Sequence, residues 1–297
     1  MAPAGVHPGT EHLPNSKNIR TTPETQGKSR WTRPLGTLGD LVTSAERRAE
    51  ALATRRRGLE ASVASMVDQP SLEAALRRPD VALIAEIKRA SPSRGAIMTG
   101  LKPAHQAAAY ERGGAAAISV LTEPERFGGS NDDLESAGRS SRLPILRKDF
   151  HVADIQLYEA RSIGASAALL IVRAVPPDRF EIMVKTAKLI GLEIVAEVRD
   201  LSELELALEA GCRIIGVNNR NLETLEIEPH TAETIIPRIP GECIAVAESG
   251  YSDLGSIRSA AAAGADAVLI GSFLSAALDP AAAVHRLIDV KRVPRGR

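Results

Sequence analysis

Eight short apolar runs, separated by segments of helical character, constrain this chain more than any other feature. They begin at Leu83, Ala116, Pro144, Ala167, Glu193, Ile214, Cys243 and Ala267. Between them lie Ala/Leu/Glu/Arg-rich stretches. Residues 201–210 place Leu201, Leu204 and Leu208 at helical spacing, with Gly211 as a stop. Residues 155–163 before Gly164, and 257–263 before Gly264, repeat the design. Alternating strand and helix predicts parallel α/β packing, in which strands are buried on both faces and read as unbroken apolar runs. Polar groups gather where the runs end: Glu86 and Lys88, Lys148, Glu197, Asn218 to Arg220, Glu248-Ser249-Gly250, and Gly271-Ser272. A doubly wound open sheet would collect its ligand at one switch point. Functional groups at most strand ends instead predict an α/β (βα)8 TIM barrel, with its site at the C-terminal mouth. At 297 residues, the chain holds one such barrel and an appendage.

The chemistry follows from strand alternation. Side chains of a strand alternate between faces, so Ile84, Glu86 and Lys88 share one face while Ala85 and Ile87 take the other. In the third run Leu146, Lys148 and Phe150 share a face. A carboxylate and an ammonium at the end of an apolar strand are costly to desolvate unless they pair or react. A structural ion pair would account for Glu86 and Lys88 alone; the recurrence of charged strand ends favours a reactive site. A lysine beside carboxylates stays protonated at neutral pH, which suits general acid catalysis and anion binding better than Schiff-base chemistry. Ser249-Gly250 and Gly271-Ser272 close the seventh and eighth strands. Each glycine lets backbone N–H groups approach an anion, and in barrels these two loops often bind phosphate. Ordinary glycine turns are the alternative reading. The pattern supports a phosphorylated small-molecule substrate and acid–base catalysis without a cofactor, and leaves the reaction open.

Other features exclude whole classes. Zero net charge and 3% aromatic residues leave no basic stripe or stacking platform for nucleic acid. No apolar run approaches the roughly 20 residues of a membrane helix. Cys212 and Cys243 read as small buried hydrophobes in a reducing compartment, hence a cytoplasmic protein. With no CxxC and six scattered histidines, no metal site is expected. His151, near a strand end, is read as a solvated loop histidine. Residues 1–34 carry five prolines, no hydrophobic periodicity and no apolar secretory core. They are read as a disordered leader without function. Residues 35–297 are then one barrel domain that includes an extra N-terminal helix. Its stripe is Leu38, Leu41, Val42, Ala45, Ala49 and Leu52, and it is expected to dock on the barrel as part of a lid. Arg55-Arg56-Arg57 is read as a solvated face.

Four segments in order resemble the indole-3-glycerol phosphate synthase family: Glu86-Ile87-Lys88-Arg89-Ala90-Ser91-Pro92-Ser93-Arg94-Gly95, Leu146-Arg147-Lys148-Asp149-Phe150, Val217-Asn218-Asn219-Arg220-Asn221-Leu222 and Ala247-Glu248-Ser249-Gly250. The resemblance runs from about Leu38 to Leu287. It implies a (βα)8 barrel that closes and decarboxylates 1-(2-carboxyphenylamino)-1-deoxyribulose 5-phosphate in tryptophan biosynthesis, releasing carbon dioxide and water. By the same resemblance, Lys148 is the general acid on the ribulose carbonyl oxygen. Lys88 holds the anthranilate carboxylate, and Glu86 is its paired carboxylate. Glu197 does acid–base work near the ring nitrogen, while Asn218 and Glu248 hold the ribulose hydroxyls and the lysines. Ser249, Gly250, Gly271 and Ser272 form the phosphate side with Arg220 as a supporting charge, and Ser91 and Phe150 contact substrate. No cofactor is implied, because the iminium formed on ring closure accepts the electrons left by carbon dioxide. The sequence leaves open both a monomeric state and transient contact with another enzyme of the pathway.

Departures from the family pattern are Arg173 with Val175-Pro176-Pro177, Ala196 and Arg199 around Glu197, and Ser-Phe-Leu-Ser after Gly271. They touch packing around the site more than its ionisable groups. Two other readings stand beside the synthase. Phosphoribosylanthranilate isomerase would pair a cysteine on the first strand with an aspartate, where this chain has Glu86 and Lys88. A non-catalytic phosphate-binding paralogue would need neither Lys88 nor Lys148.

Overall fold

The computed structural model describes residues 31–93 and 95–295; the expected leader lies almost wholly outside them. Each apolar run forms a strand: β1 (Ala82–Ile87), β2 (Ala117–Leu121), β3 (Ile145–Lys148), β4 (Ala167–Ile171), β5 (Glu193–Val198), β6 (Ile214–Asn218), β7 (Ile244–Glu248) and β8 (Ala267–Ile270). Every neighbouring pair is parallel, and β1 bonds both β2 and β8, so the sheet closes on itself. Closure leaves no edge and no switch point, which excludes the open sheet. The strands are buried almost throughout, as burial on both faces requires. Register places Glu197 opposite Gly216, and Asn218 opposite Glu248, at the C-terminal rim.

The helices start and stop where local chemistry dictates. Asp200 caps Leu201–Glu209 by accepting the Glu203 backbone N–H, and Asp253 caps Leu254–Ala262 through Ser256. Each such cap is worth about 1 kcal/mol. Gly211 and Gly264 follow these helices at φ +85° and +95°, conformations costly for residues with a Cβ. The Leu201 stripe is only partly buried. Leu204 and Ala207 are packed, but Leu201 is 48% exposed. Glu203 turns inward in that first turn because its carboxylate accepts the Arg199 backbone N–H at 2.7 Å.

Ahead of the barrel, α1 (Gly36–Leu52) and α2 (Arg56–Ala64) are added outside the βα repeat. All six residues of the α1 stripe are buried, so the helix docks on the barrel. The arginine run is not a uniformly solvated face. Arg55 and Arg57 are exposed, but Arg56 makes a two-pronged bond to Asp154 at 3.0 Å through each nitrogen. At the opposite end of the barrel, the last described segment runs back across the strand starts. Val81 donates to the Val290 carbonyl, and buried Asp266 receives both Arg292 and Arg295.

Candidate active site

The strand ends open into one cavity of about 400 Å³. The parity of each strand decides which side chains face it: Glu86 and Lys88 from β1, Lys148 from β3, Glu197 from β5, Asn218 from β6 and Glu248 from β7. Ser91, Phe150, Arg220, Ser249, Gly250, Gly271 and Ser272 line the same cavity. All thirteen residues singled out in the sequence therefore share it.

Two lysines organise its charge. Lys88 Nζ lies 2.8 Å from Glu86 Oε1. Lys148 Nζ sits between two carboxylates, 3.0 Å from Glu197 Oε2 and 3.1 Å from Glu248 Oε2. The other oxygen of Glu197 accepts the Asn218 amide at 3.0 Å, and Asn218 Oδ1 accepts the Arg220 backbone N–H. Burial alone would lower the Lys148 pKa. Glu197, Glu248 and Glu86 outweigh burial and raise it above the usual lysine value, so the ammonium persists at neutral pH. Glu248 moves the other way for a carboxyl. Burial pushes it up, Lys148 opposes and Glu197 adds repulsion, leaving it at about 7. Its Oε1 is buried with no hydrogen-bond partner among the described residues. The cluster thus holds a fixed proton donor beside a carboxyl that can exchange a proton near neutrality.

Two glycines, Gly216 within β6 and Gly271 just after β8, make room for these carboxylates. A Cβ at Gly216 would lie 2.3 Å from Glu248 Oε1, and one at Gly271 would lie 2.1 Å from Glu86 Oε1 and 2.9 Å from Lys88 Nζ. Glycine inside a strand marks such a close approach, which makes Gly216 a sequence signal for the crowded carboxylate beside it.

The cavity is divided by the strand order. The contiguous β7, β8 and β1 ends supply Ser249, Gly250, Ser252, Gly271, Ser272, Ser91 and Ser93. Ser249 itself has φ +64° beside Gly250 at +92°, which turns the chain sharply after β7. Ser91 Oγ is buried there with no partner among the described residues. From β2 to β4 and from the loop after β6 come Leu121, Phe127, Phe150, Leu169, Ile171, Leu222 and Leu225. This arrangement offers hydroxyls and turned backbone to an anion at one end and an apolar wall to a flat ring at the other. Arg220 lines the cavity, but its Nη1 donates to the Leu225 carbonyl at 2.7 Å and so shapes that loop.

Several supports were not singled out in the sequence. Ser275 Oγ accepts the Lys88 backbone N–H at 3.1 Å and donates to the Glu86 carbonyl at 2.9 Å. Tyr110 donates to that same carbonyl at 2.9 Å and is held by Gln106. A buried tyrosine needs a partner for its hydroxyl, so Tyr110 in an aromatic-poor chain was a usable clue. His151 overturns its reading as a solvated residue: it is 2% exposed, with Nδ1 2.8 Å from the Leu169 carbonyl. Burial, with Arg147 nearby, holds its pKa down at about 4, so the ring is neutral. Arg173 and Arg199, two of the departures, form structural links to Glu223 and to Glu228 with the Asn218 carbonyl. Cys212 and Cys243 are free and buried at the N-terminal ends of β6 and β7, away from this mouth. Among the described residues no group of His, Cys, Asp and Glu is arranged to hold a metal ion, and no helix is long and apolar enough to cross a membrane.

Comparison with known proteins places the sequence of this chain in a family. The family described as Indole-3-glycerol phosphate synthase matches residues 40–287. A relative from Streptomyces coelicolor, named Indole-3-glycerol phosphate synthase 1, is 48% identical over 74% of this chain and 82% of its own. One from Rhodococcus jostii, named Indole-3-glycerol phosphate synthase, is 46% identical over 76% and 84%. Among solved structures, thiamine phosphate pyrophosphorylase from Pyrococcus furiosus superposes with a TM-score of 0.53 at 17% identity, over 70% of this chain and 93% of that one. That last likeness concerns the fold alone.

Proposed function

The chain belongs to the indole-3-glycerol phosphate synthase family, a carboxy-lyase family of tryptophan biosynthesis, and from that premise we propose how its residues divide the reaction. The enzyme closes the indole ring of 1-(2-carboxyphenylamino)-1-deoxyribulose 5-phosphate, then expels carbon dioxide and water. The substrate phosphate sits at the Ser249-Gly250 and Gly271-Ser272 turns with Ser91, where hydroxyls and turned backbone meet an anion. The anthranilate ring lies against Phe150 and the leucine wall. This places the ribulose carbonyl at the centre of the mouth, beside Lys148.

As the ring carbon bearing the carboxylate bonds to the carbonyl carbon, Lys148 passes its proton to the carbonyl oxygen, which becomes a hydroxyl. The ring nitrogen is left as an iminium. The pair released from the carboxylate carbon–carbon bond flows into that iminium, and carbon dioxide departs. Lys88, aligned by Glu86, holds the carboxylate until then and afterwards protonates the leaving hydroxyl. Glu197 removes the proton whose loss completes the indole, and Asn218 holds Glu197 for that task. Glu248 fixes Lys148 from the other side and, near its own pKa, helps return a proton to it.

The observation that carries the reading is the Lys148 ammonium, held within 3.1 Å of two buried carboxylates in the cavity that also contains the Lys88–Glu86 pair. Phosphate binding alone would require none of this machinery. The enzyme is proposed to work in the cytoplasm. Its test is fluorescence-monitored formation of indole-3-glycerol phosphate from the purified substrate, in buffer with chelator and no added cofactor. Turnover is the expected result; binding without turnover would make the protein a non-catalytic relative.

A further inference from the structure

α1 lies outside the eight βα units, yet Thr37 and Leu41 on it line the cavity. Seven residues beyond Leu41, two turns along the same face, Arg48 reaches Asp149. Its Nη1 and Nη2 donate to the two carboxylate oxygens at 3.0 and 2.9 Å. Asp149 directly follows Lys148 and is 2% exposed. The Asp149 carboxylate is also held independently of α1: Thr122 donates to it at 2.6 Å, the Phe150 N–H at 2.7 Å, and the Arg147 guanidinium stands at 3.5 Å. Loss of Arg48 would therefore free the helix more than the aspartate.

At its first turn α1 is also tied by the Thr37 backbone N–H, which donates to the Glu223 carbonyl at 3.2 Å, and exposed Asp40 meets Arg126 at 3.4 Å. Two turns beyond Leu41, Arg48 adds a forked bond to a buried carboxylate. The buried stripe of α1 is apolar, and such packing is not directional. Ser44 and Arg47 share Glu125, whose side chain is half exposed. A two-pronged guanidinium–carboxylate bond sets both distance and direction, and here one partner is buried.

We infer that Arg48 is a positioning residue for substrate binding: its forked bond to Asp149 registers α1 so that Leu41 and Thr37 close the apolar end of the cavity. Arg48 acts through Leu41 and on affinity, not on the proton transfer at Lys148. The inference rests on the cavity being the substrate site, as proposed above.

The experiment measures kcat, KM and melting temperature for Arg48→Ala, Arg48→Lys, Leu41→Ala and the Arg48→Ala/Leu41→Ala double variant. Arg48→Ala should raise KM roughly fivefold or more with kcat within about twofold, the pattern of lost uniform binding. Arg48→Lys should recover part of the loss, since an ammonium reaches Asp149 but cannot fork. The double variant should be no worse than the poorer single one, because the two residues act in series. A lowered melting temperature with unchanged KM would reduce Arg48 to a structural role. A fall in kcat at constant KM would move its action to Lys148, and additive effects would remove Leu41 as the route; each overturns the inference. If Arg48→Ala does not fold, the same cycle built on Arg48→Lys decides. Loss of kcat in Lys148→Ala in the same assay shows that the site reading stands whichever way the Arg48 and Leu41 variants fall.

Discussion

Replacing Lys148 by alanine removes the cation that Glu197 and Glu248 share, and the structure predicts effects on rate and on stability separately. Proton delivery by a placed acid contributes about 10²–10⁴-fold, which at 1.36 kcal/mol per decade is about 3–5 kcal/mol of barrier. kcat should therefore fall at least about a hundredfold. Removing one partner of a buried pair costs about 3–5 kcal/mol when the other stays charged. Glu248 does not have to stay charged, because its carboxyl already lies at about 7 with the lysine present. Without Lys148 it takes up a proton at neutral pH, and the stability loss should come to about 3 kcal/mol or less. The sign with pH follows. A carboxyl whose folded pKa is raised binds more protons in the folded state, so the variant should be less stable at pH 8 than at pH 6. Affinity for a substrate analogue should survive, since the turns proposed to hold the phosphate lie across the mouth after β7 and β8. Steady-state fluorescence, analogue titration and urea melts at both pH values measure all three quantities. A variant with kcat within about tenfold of the original would refute the assigned role.

Other sites give sharp expectations. Gly216→Ala would put a methyl 2.3 Å from Glu248 Oε1, so kcat/KM should drop at least about tenfold while circular dichroism stays native. His151 titrates at about 4 in the fold against about 6.5 when unfolded, so the unfolded chain binds more protons across that window. Stability should fall by roughly 3 kcal/mol as pH drops from 6.5 to 4, and His151→Leu should lose that slope in pH-dependent urea melts. Arg295, 3% exposed against Asp266 at 1%, closes the far end of the barrel. Arg295→Ala should cost about 3 kcal/mol in a denaturant melt and leave kcat and KM unchanged.

The barrel was legible because its strands are buried on both faces, and nothing but an apolar run can occupy such a place. The polar ends of those runs exposed the ionisable set for the same reason: Glu86, Lys148, Glu197 and Glu248 interrupt sequences that otherwise have no use for charge. Residues outside the strand period were harder to read. His151 looked solvated because it follows a strand end, whereas its ring turns inward to the Leu169 carbonyl, in an interior already holding Asp149 and Arg147. Leu201 fitted the helical stripe but is 48% exposed, while Glu203 turns inward to a backbone donor in Arg199. Ser275 and Tyr110 act through one carbonyl of β1, contributed from positions 189 and 24 residues away, a meeting that only closure of the barrel produces. The arginine fork on Asp149 likewise joins residues 101 apart, and no local pattern announces it.

The most direct measurement is a crystal structure with a non-cyclisable analogue, in which the ribulose carbonyl is reduced to an alcohol. The phosphate should lie about 3 Å from the backbone N–H groups at Gly250 and Gly271-Ser272, with the alcohol oxygen about 3 Å from Lys148 Nζ. A phosphate seated elsewhere, or an alcohol oxygen more than about 5 Å from Lys148, would contradict the arrangement of acid and anion ends proposed here.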